Sequence, residues 1–184
     1  MAAQRPPDPP RESVAEGASS DLGFGAVVAP YRDITAFEFR VVNNRRNQLA
    51  NLTATVMMSR FEGEPPNRQR RFYQLPLERS TVAFFPMNWT IVHPIDQASP
   101  LWSWDAAQLM AAEAKFAVLL AAVDETFPQT VHGRSSYTVE EVRFGHRFEL
   151  MYHEDDEQFV LDLDKLSATR PVETRAPAGR PAGE

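Results

Sequence analysis

Near the end of the chain, Val142, Phe144, His146 and Phe148 alternate with Arg143, Gly145 and Arg147. Successive side chains of a strand point to opposite faces, so a period of two marks a strand with one face buried. The texture recurs upstream. Phe37, Phe39 and Val41 alternate with Glu38 and Arg40, and Leu52, Ala54, Val56 and Met58 alternate with Thr53, Thr55 and Met57. The runs end at turn chemistry: Pro30, the polar VNNRRNQ of Val42 to Gln48, the paired prolines of EGEPPNRQ (Glu62 to Gln69), Pro94 and Pro128. Consecutive prolines cannot sit in a central strand. Arg71 to Leu77, Thr81 to Phe85, Trp89 to His93 and Val131 to Tyr137 add further short strands, as does a last one around Phe159, Leu161 and Leu163. Short strands with turn signals every 8–12 residues or so predict an all-β sandwich.

One helix is expected, Ser103 to Ala114, with Ser103 as N-cap, Asp105 in the first turn and Leu109 and Met110 facing the sheet,. Lys115 to Val123 reads as a strand buried on both faces, because its apolar run from Phe116 is unbroken,. That run is also the longest apolar stretch in the chain, far short of the roughly 20 residues a spanning helix needs,. No transmembrane segment and no signal peptide is read, so a soluble, cytoplasmic protein is expected.

The chain has 184 residues, a formal net charge of −6 and no cysteine. An acidic chain is poorly suited to phosphate backbones, so nucleic acid is not an expected partner. Without cysteine there are no disulfides, thiol nucleophiles or thiolate metal sites. Residues 1–22 and 175–184 are rich in Pro, Ala, Gly and charge and are expected to be disordered tails around one domain at 23–174,. There is no GxSxG, HExxH or phosphate-binding glycine loop,. His146 with His153, Glu154, Asp155 and Asp156 is better read as a packed histidine and a solvated turn than as a metal site. Ser135 and Ser136 near His132 are better read as strand residues than as a nucleophile and base. No catalytic residue, metal or cofactor is expected.

Four segments stand in a specific order: FRVVNNRRNQL (Phe39 to Leu49), TIVHPIDQASPLW (Thr90 to Trp102), RSSY (Arg134 to Tyr137) and FGHRF (Phe144 to Phe148). Together they resemble the cytoplasmic C-terminal domain of inward-rectifier potassium channels, over roughly Phe24 to Thr174. The likeness is to the prokaryotic branch, where WTxxHPID and QTVHxR are typical spellings. It implies an immunoglobulin-like β-sandwich with one short helix, assembled as a homotetramer around a central aqueous passage. His93, Asp96, Ser135, Tyr137, His146 and Arg147 carry the family motif. In strongly rectifying relatives, carboxylate rings face the passage and bind Mg²⁺ and polyamines. The corresponding positions here are Asn51 and Ala121, both neutral. The resemblance further implies an apical loop in which Glu125 pairs with Arg134, with Asp124 and Glu125 facing cations, and it matches Arg45 and Arg46 to contacts with anionic lipid at the inner face of the membrane.

The expected function is therefore non-enzymatic. The chain reads as an inward-rectifier cytoplasmic domain without its pore, a self-assembling regulatory or ligand-sensing module of potassium transport, with a membrane channel or anionic lipid as partner. One alternative is the cytoplasmic part of a full channel whose membrane segment is encoded elsewhere or truncated. Another is a soluble protein-interaction module on the same sandwich.

Overall fold

The computed structural model describes residues 20–22, 26–43, 48–85, 88–155 and 158–172. One sheet is built on the ten-residue strand β3 (Ile34–Asn43). Along one edge β3 pairs with β1 (Ser20–Leu22) and β2 (Ala26–Tyr31), and β7 (Asn88–Ile95) follows its other edge from Thr35 to Val42. The short β10 (Val142–Phe144) lies parallel to β2. The second sheet is built on β4 (Leu49–Glu62), flanked on one edge by β5 (Gln69–Leu75) and β6 (Thr81–Phe84) and on the other by β8 (Lys115–Asp124) and β9 (Gln129–Thr138).

The two sheets meet face to face. Phe37, Phe39, Val41 and Ile91 from the first sheet and Leu52, Val56, Met58, Phe116, Val118 and Leu120 from the second form one buried cluster. The rings of Phe37 and Phe116 stack across it with centroids 4.6 Å apart. The all-β sandwich with one short helix is thus the fold.

The helix is shorter than expected. It is α1 (Ala106–Ala111), and its cap is Asp105 rather than Ser103. The Gln108 N–H donates to Asp105 Oδ1 at 2.7 Å, and the Asp105 N–H donates back to Gln108 Oε1 at 3.0 Å. This reciprocal box satisfies two otherwise unpaired amides, which a cap at Ser103, in the left-handed region at φ 63°, does not offer,. Leu109 is buried at 1% exposure while Met110 is 49% exposed, since adjacent helical residues do not share a face,.

Two further expectations reverse one another. β8 buries Phe116, Val118, Leu120 and Ala122 but leaves Ala117 and Leu119 at the surface, so the unbroken apolar run has one buried face, not two. β3, whose alternation suggested one buried face, is buried on both: Glu38 and Arg40 are covered as well as Phe37 and Phe39. The cover is the C-terminal segment. Its β11 (His146–Phe148) pairs with β14 (Thr169–Pro171), and β12 (Tyr152–Asp155) pairs with β13 (Gln158–Leu161). Phe148 packs on Val27 and Ala29, and Met151 and Leu166 pack on Val42, all on the face of the first sheet away from the main core.

Ser20 to Leu22, counted within the N-terminal tail, pair instead with Val41 to Asn43, where β3 runs on beyond the end of β2 and its backbone groups need partners,. Residues 1–19 and 173–184, which contain the rest of both expected tails, lie outside the described residues.

Because Phe116 fills the centre of the interface between the sheets, Phe116→Ala should cost about 3–5 kcal/mol in urea unfolding. Loss of less than about 1 kcal/mol would mean that the sheets do not depend on this contact.

Candidate functional site

Three places hold most of the residues singled out in the sequence. The first is the loop after β7. His93 is buried, with Nδ1 at 2.5 Å from the Pro76 carbonyl and Nε2 at 2.8 Å from Ser99 Oγ. A carbonyl only accepts, so Nδ1 carries the proton and Nε2 accepts from the Ser99 hydroxyl. That hydroxyl oxygen accepts in turn from the Leu101 N–H at 3.1 Å. Asp96 closes the turn, its Oδ1 accepting from the Ala98 N–H and its carbonyl from the Ser99 N–H. The HPID and SPLW residues therefore fasten a loop. Burial pushes the His93 pKa down, while the Pro76 contact and Asp96 oppose the shift.

Beside this loop sits a residue that sequence reasoning missed. Arg60 is buried, 3.9 Å from the Trp104 ring centroid and 4.9 Å from that of Tyr73, and it donates to Glu62 and to the Pro100 carbonyl. Tyr73 also donates to Glu62 Oε1 at 2.6 Å, the main reason that the Glu62 carboxyl titrates below its usual range. An arginine in a polar-looking run carries no local signal that two distant aromatic rings will cover it. Arg68, just before β5, and Arg70 on β5 reach Glu113 and the carbonyls at the C-terminal end of α1.

The second place is the turn between β8 and β9. Asp124 is buried at 6% exposure, and its Oδ1 accepts from the Thr126 and Phe127 amides. One oxygen of this carboxylate is thus turned onto its own loop. Glu125 is exposed, and its amide donates to the Gln48 carbonyl. Arg134 is exposed on β9 directly opposite Leu119. Leu119 and Asp124 are five steps apart along β8, a strand length of about 17 Å,. Within one chain the expected Glu125–Arg134 pair is not made, and the ladder register holds the two residues apart.

The third place is the outer face of the second sheet. Thr53, Ala121 and His132 stand in register across β4, β8 and β9, with Thr55, Leu119 and Arg134 in the next row and Met57, Ala117 and Ser136 beyond it. Asn51 occupies the irregularity between Ala50 and Thr53, exposed and at φ 50°. Asn51 and Ala121 thus lie close together on one open face. Ser135 and Tyr137 point the other way, and Tyr137 is buried against Phe39, its pKa raised chiefly by burial.

His146 Nδ1 lies 3.1 Å from the Phe144 carbonyl, and Arg147 Nη2 donates to the Pro30 carbonyl at 2.8 Å. Arg45 and Arg46 lie outside the described residues. Among the described residues no group of three or more His, Asp or Glu is placed to hold a metal ion, and no helix is long and apolar enough to cross a membrane.

The depressed His93 pKa fixes the sign of a pH effect. Below the ordinary histidine pKa, about 6.5, the unfolded chain takes up a proton that the fold resists, so stability present above that pH is lost as pH falls,. His93→Gln, which cannot titrate, should show a shallower fall in unfolding free energy between about pH 7 and pH 5. Parallel curves for the two proteins would remove His93 as the cause.

Residues 23–180 match the family model described as the inward rectifier potassium channel C-terminal domain. The chain is 30% identical over 142 residues to the inward rectifier potassium channel Kirbac3.1 of Paramagnetospirillum magnetotacticum, covering 76% of this chain and 48% of that protein. It is 33% identical over 152 residues to the ATP-sensitive inward rectifier potassium channel 14 of Homo sapiens, covering 80% of this chain and 35% of the relative. With the human ATP-sensitive inward rectifier potassium channel 8 it shares 28% identity over 153 residues, 80% of this chain and 36% of the other. The chain spans about a third to a half of the length of these relatives. The prokaryotic likeness read in the motifs is met by the Kirbac3.1 match. On the extent of the family match, the chain belongs to the inward rectifier potassium channel C-terminal domain family.

Proposed function

We propose that this domain is a non-enzymatic, self-assembling regulatory module of potassium transport, four copies forming a ring around an aqueous passage at the inner face of the membrane. The observation that supports self-assembly is the outer face of the second sheet. Ala117, Leu119 and Ala121 of β8 lie beside Met57 of β4 on a surface that one chain leaves uncovered. Apolar surface of this kind is stabilised by burial against a partner. The separation of Glu125 from Arg134 fits the same reading. An arginine and a carboxylate that cannot meet within a chain can meet between neighbouring copies, where a bidentate pair would fix the apical turn.

With Asn51 and Ala121 toward the passage, the axis lacks the carboxylate rings through which summed field concentrates cations. Cation sensing is then weak, and regulation falls to other parts of the domain. A second reading, the cytoplasmic part of a full channel, is favoured by the greater length of the relatives. An antibody to the domain would separate the two in native cells, by a band near 20.8 kDa for the module or a much larger one for a channel.

Light scattering across a concentration series should give a mass near four times 20.8 kDa. Leu119→Glu should shift the distribution toward the monomer without changing the far-ultraviolet circular dichroism. A wild-type chain that stays monomeric throughout would overturn the ring. If the tetramer forms, spermine should bind it weakly, and Asn51→Glu with Ala121→Glu should tighten binding by at least about tenfold, roughly 1.4 kcal/mol. Equal spermine affinity in the two proteins would show that these positions do not face the passage.

A further inference from the structure

The C-terminal cover (residues 146–155 and 158–172) is joined to the first sheet by backbone at one position and otherwise rests on side chains. The Gly145 N–H donates to the Val28 carbonyl at 2.8 Å, continuing the pairing of β10 with β2. The Gly145 carbonyl accepts from the Val172 N–H at 2.9 Å, at the far end of the cover. Gly145 thus has its amide in the sheet and its carbonyl in the cover, at φ 72°, a conformation glycine adopts without steric cost,. Beyond it, β11 with β14 and β12 with β13 form two small sheets of their own. Among the described residues no other backbone–backbone hydrogen bond ties the cover to the first sheet. Phe148 holds it down on Val27 and Ala29, and Met151 and Leu166 hold it on Val42. Arg147 adds its bond to the Pro30 carbonyl, and Arg143 of β10 donates to Thr169 Oγ1 at 2.7 Å.

The floor beneath is charged. Glu38 is 8% exposed and stands in register between Val27 of β2 and Val92 of β7. Two residues along the same face, Arg40 is 7% exposed, with Nε and Nη1 buried without a hydrogen-bond partner. Its guanidinium lies 4.5 Å from the Phe148 ring centroid. Among the described residues neither Glu38 nor Arg40 belongs to an ion pair. Burying such charges is costly, and a region with few apolar contacts opens locally, well short of global unfolding. The charged and titratable groups around Glu38 are Arg40 on its own strand, Tyr31 on β2 and Arg147 on the cover. Tyr152 of the cover acts on Arg40, β7 brings only Val92, and Arg143 of β10 is engaged by Thr169. Burial is the strongest influence on Glu38 and outweighs the pull of Arg147 and Arg40, so its carboxyl titrates above its ordinary value of 4.5. Closure therefore favours the neutral acid, and opening returns water to the ionised one. Stability of the closed cover is full below the ordinary value and is lost as pH rises through the raised one.

We propose that the cover is a lid on the first sheet, hinged at Gly145, and that the charge on Glu38 decides how firmly it stays down. Protonated, Glu38 accepts burial and the lid stays closed. Ionised, it is rehydrated as the lid lifts and bares Arg40 with it. The lid lies within one chain, on the face away from the proposed assembly surface, so it stands or falls apart from the ring. It gives the regulatory module an input, the proton, and a moving part, and it rests on that reading only for its use.

The chain has no cysteine, so a single introduced thiol reports its own exposure. Ala29→Cys places one beneath Phe148, where the alanine is 0% exposed, and Val118→Cys places one in the main core. Each full-length variant is labelled with a thiol reagent at about pH 5 and about pH 8. Rates are divided by those of the urea-unfolded protein, which removes the effect of thiol ionisation. Ala29→Cys should be labelled at least about tenfold faster than Val118→Cys, which reports global unfolding. The ratio of the two should rise severalfold from the lower pH to the higher. Glu38→Gln, nearly isosteric and unable to ionise, should slow labelling at the higher pH and abolish the rise, whereas His146→Gln should leave the rise intact. Val42→Cys, beneath Met151 and Leu166, should repeat the pattern and gives the reading if Ala29→Cys does not fold. Hydrogen exchange should show the cover opening as one unit, with Val142 to Phe144 still protected on the other side of Gly145. Labelling of both covered thiols no faster than Val118→Cys would overturn the lid. A rise that survives Glu38→Gln, or vanishes in His146→Gln, would overturn its control by that carboxylate. Light scattering of the same samples keeps the readings apart: a monomer with a working lid removes the ring alone, and a tetramer without opening removes the lid alone.

Discussion

The stacking of Phe37 on Phe116 joins the two halves of the sandwich, and much else follows from it. Each ring sits on the central strand or next to it, so the strands of both sheets are held with one face toward a common core. Aromatic pairs bury large areas at low conformational cost, and their geometry resists sliding. Once the sheets are fixed in this way, the loop after β7, the turn between β8 and β9 and the C-terminal segment can each occupy only one place.

The loop after β7 shows how the family motif works at the level of bonds. His93 is a neutral, buried link between the Pro76 carbonyl and the Ser99 hydroxyl, and Asp96 closes the turn between them. Arg60, held over Trp104 and Tyr73, clasps the same loop from β4 through the Pro100 carbonyl. Buried polar groups are costly unless every partner is present, so such a network holds one arrangement against all others. Its role is to position the loop.

The two faces of the molecule away from the core differ in kind. The outer face of the second sheet is open and partly apolar, with Leu119 between Ala117 and Ala121. The outer face of the first sheet is closed by the C-terminal segment over Glu38 and Arg40. An open apolar face favours association with other chains, whereas closing a face over charges costs desolvation.

Periodicity revealed the strands, because alternation over even five residues reports which side chains share a face, and prolines marked where the runs must stop. Family motifs in order revealed the ancestry, since HPID, SPLW, RSSY and FGHRF are local strings that survive without any knowledge of their contacts. What covers a face was not legible. Phe116 to Val123 is apolar throughout yet has one open side, while Glu38 and Arg40 alternate as surface residues do yet are buried. Nor could adjacency in a motif show that Glu125 and Arg134 are held apart by the register of β8 on β9, or that Arg147 faces Arg170. Local pattern depends on neighbours in the chain, so the amino-acid order alone determined strands, turns and family. Burial, charge compensation and the pairing of distant residues depend on which elements are brought together, and only the tertiary structure decided those.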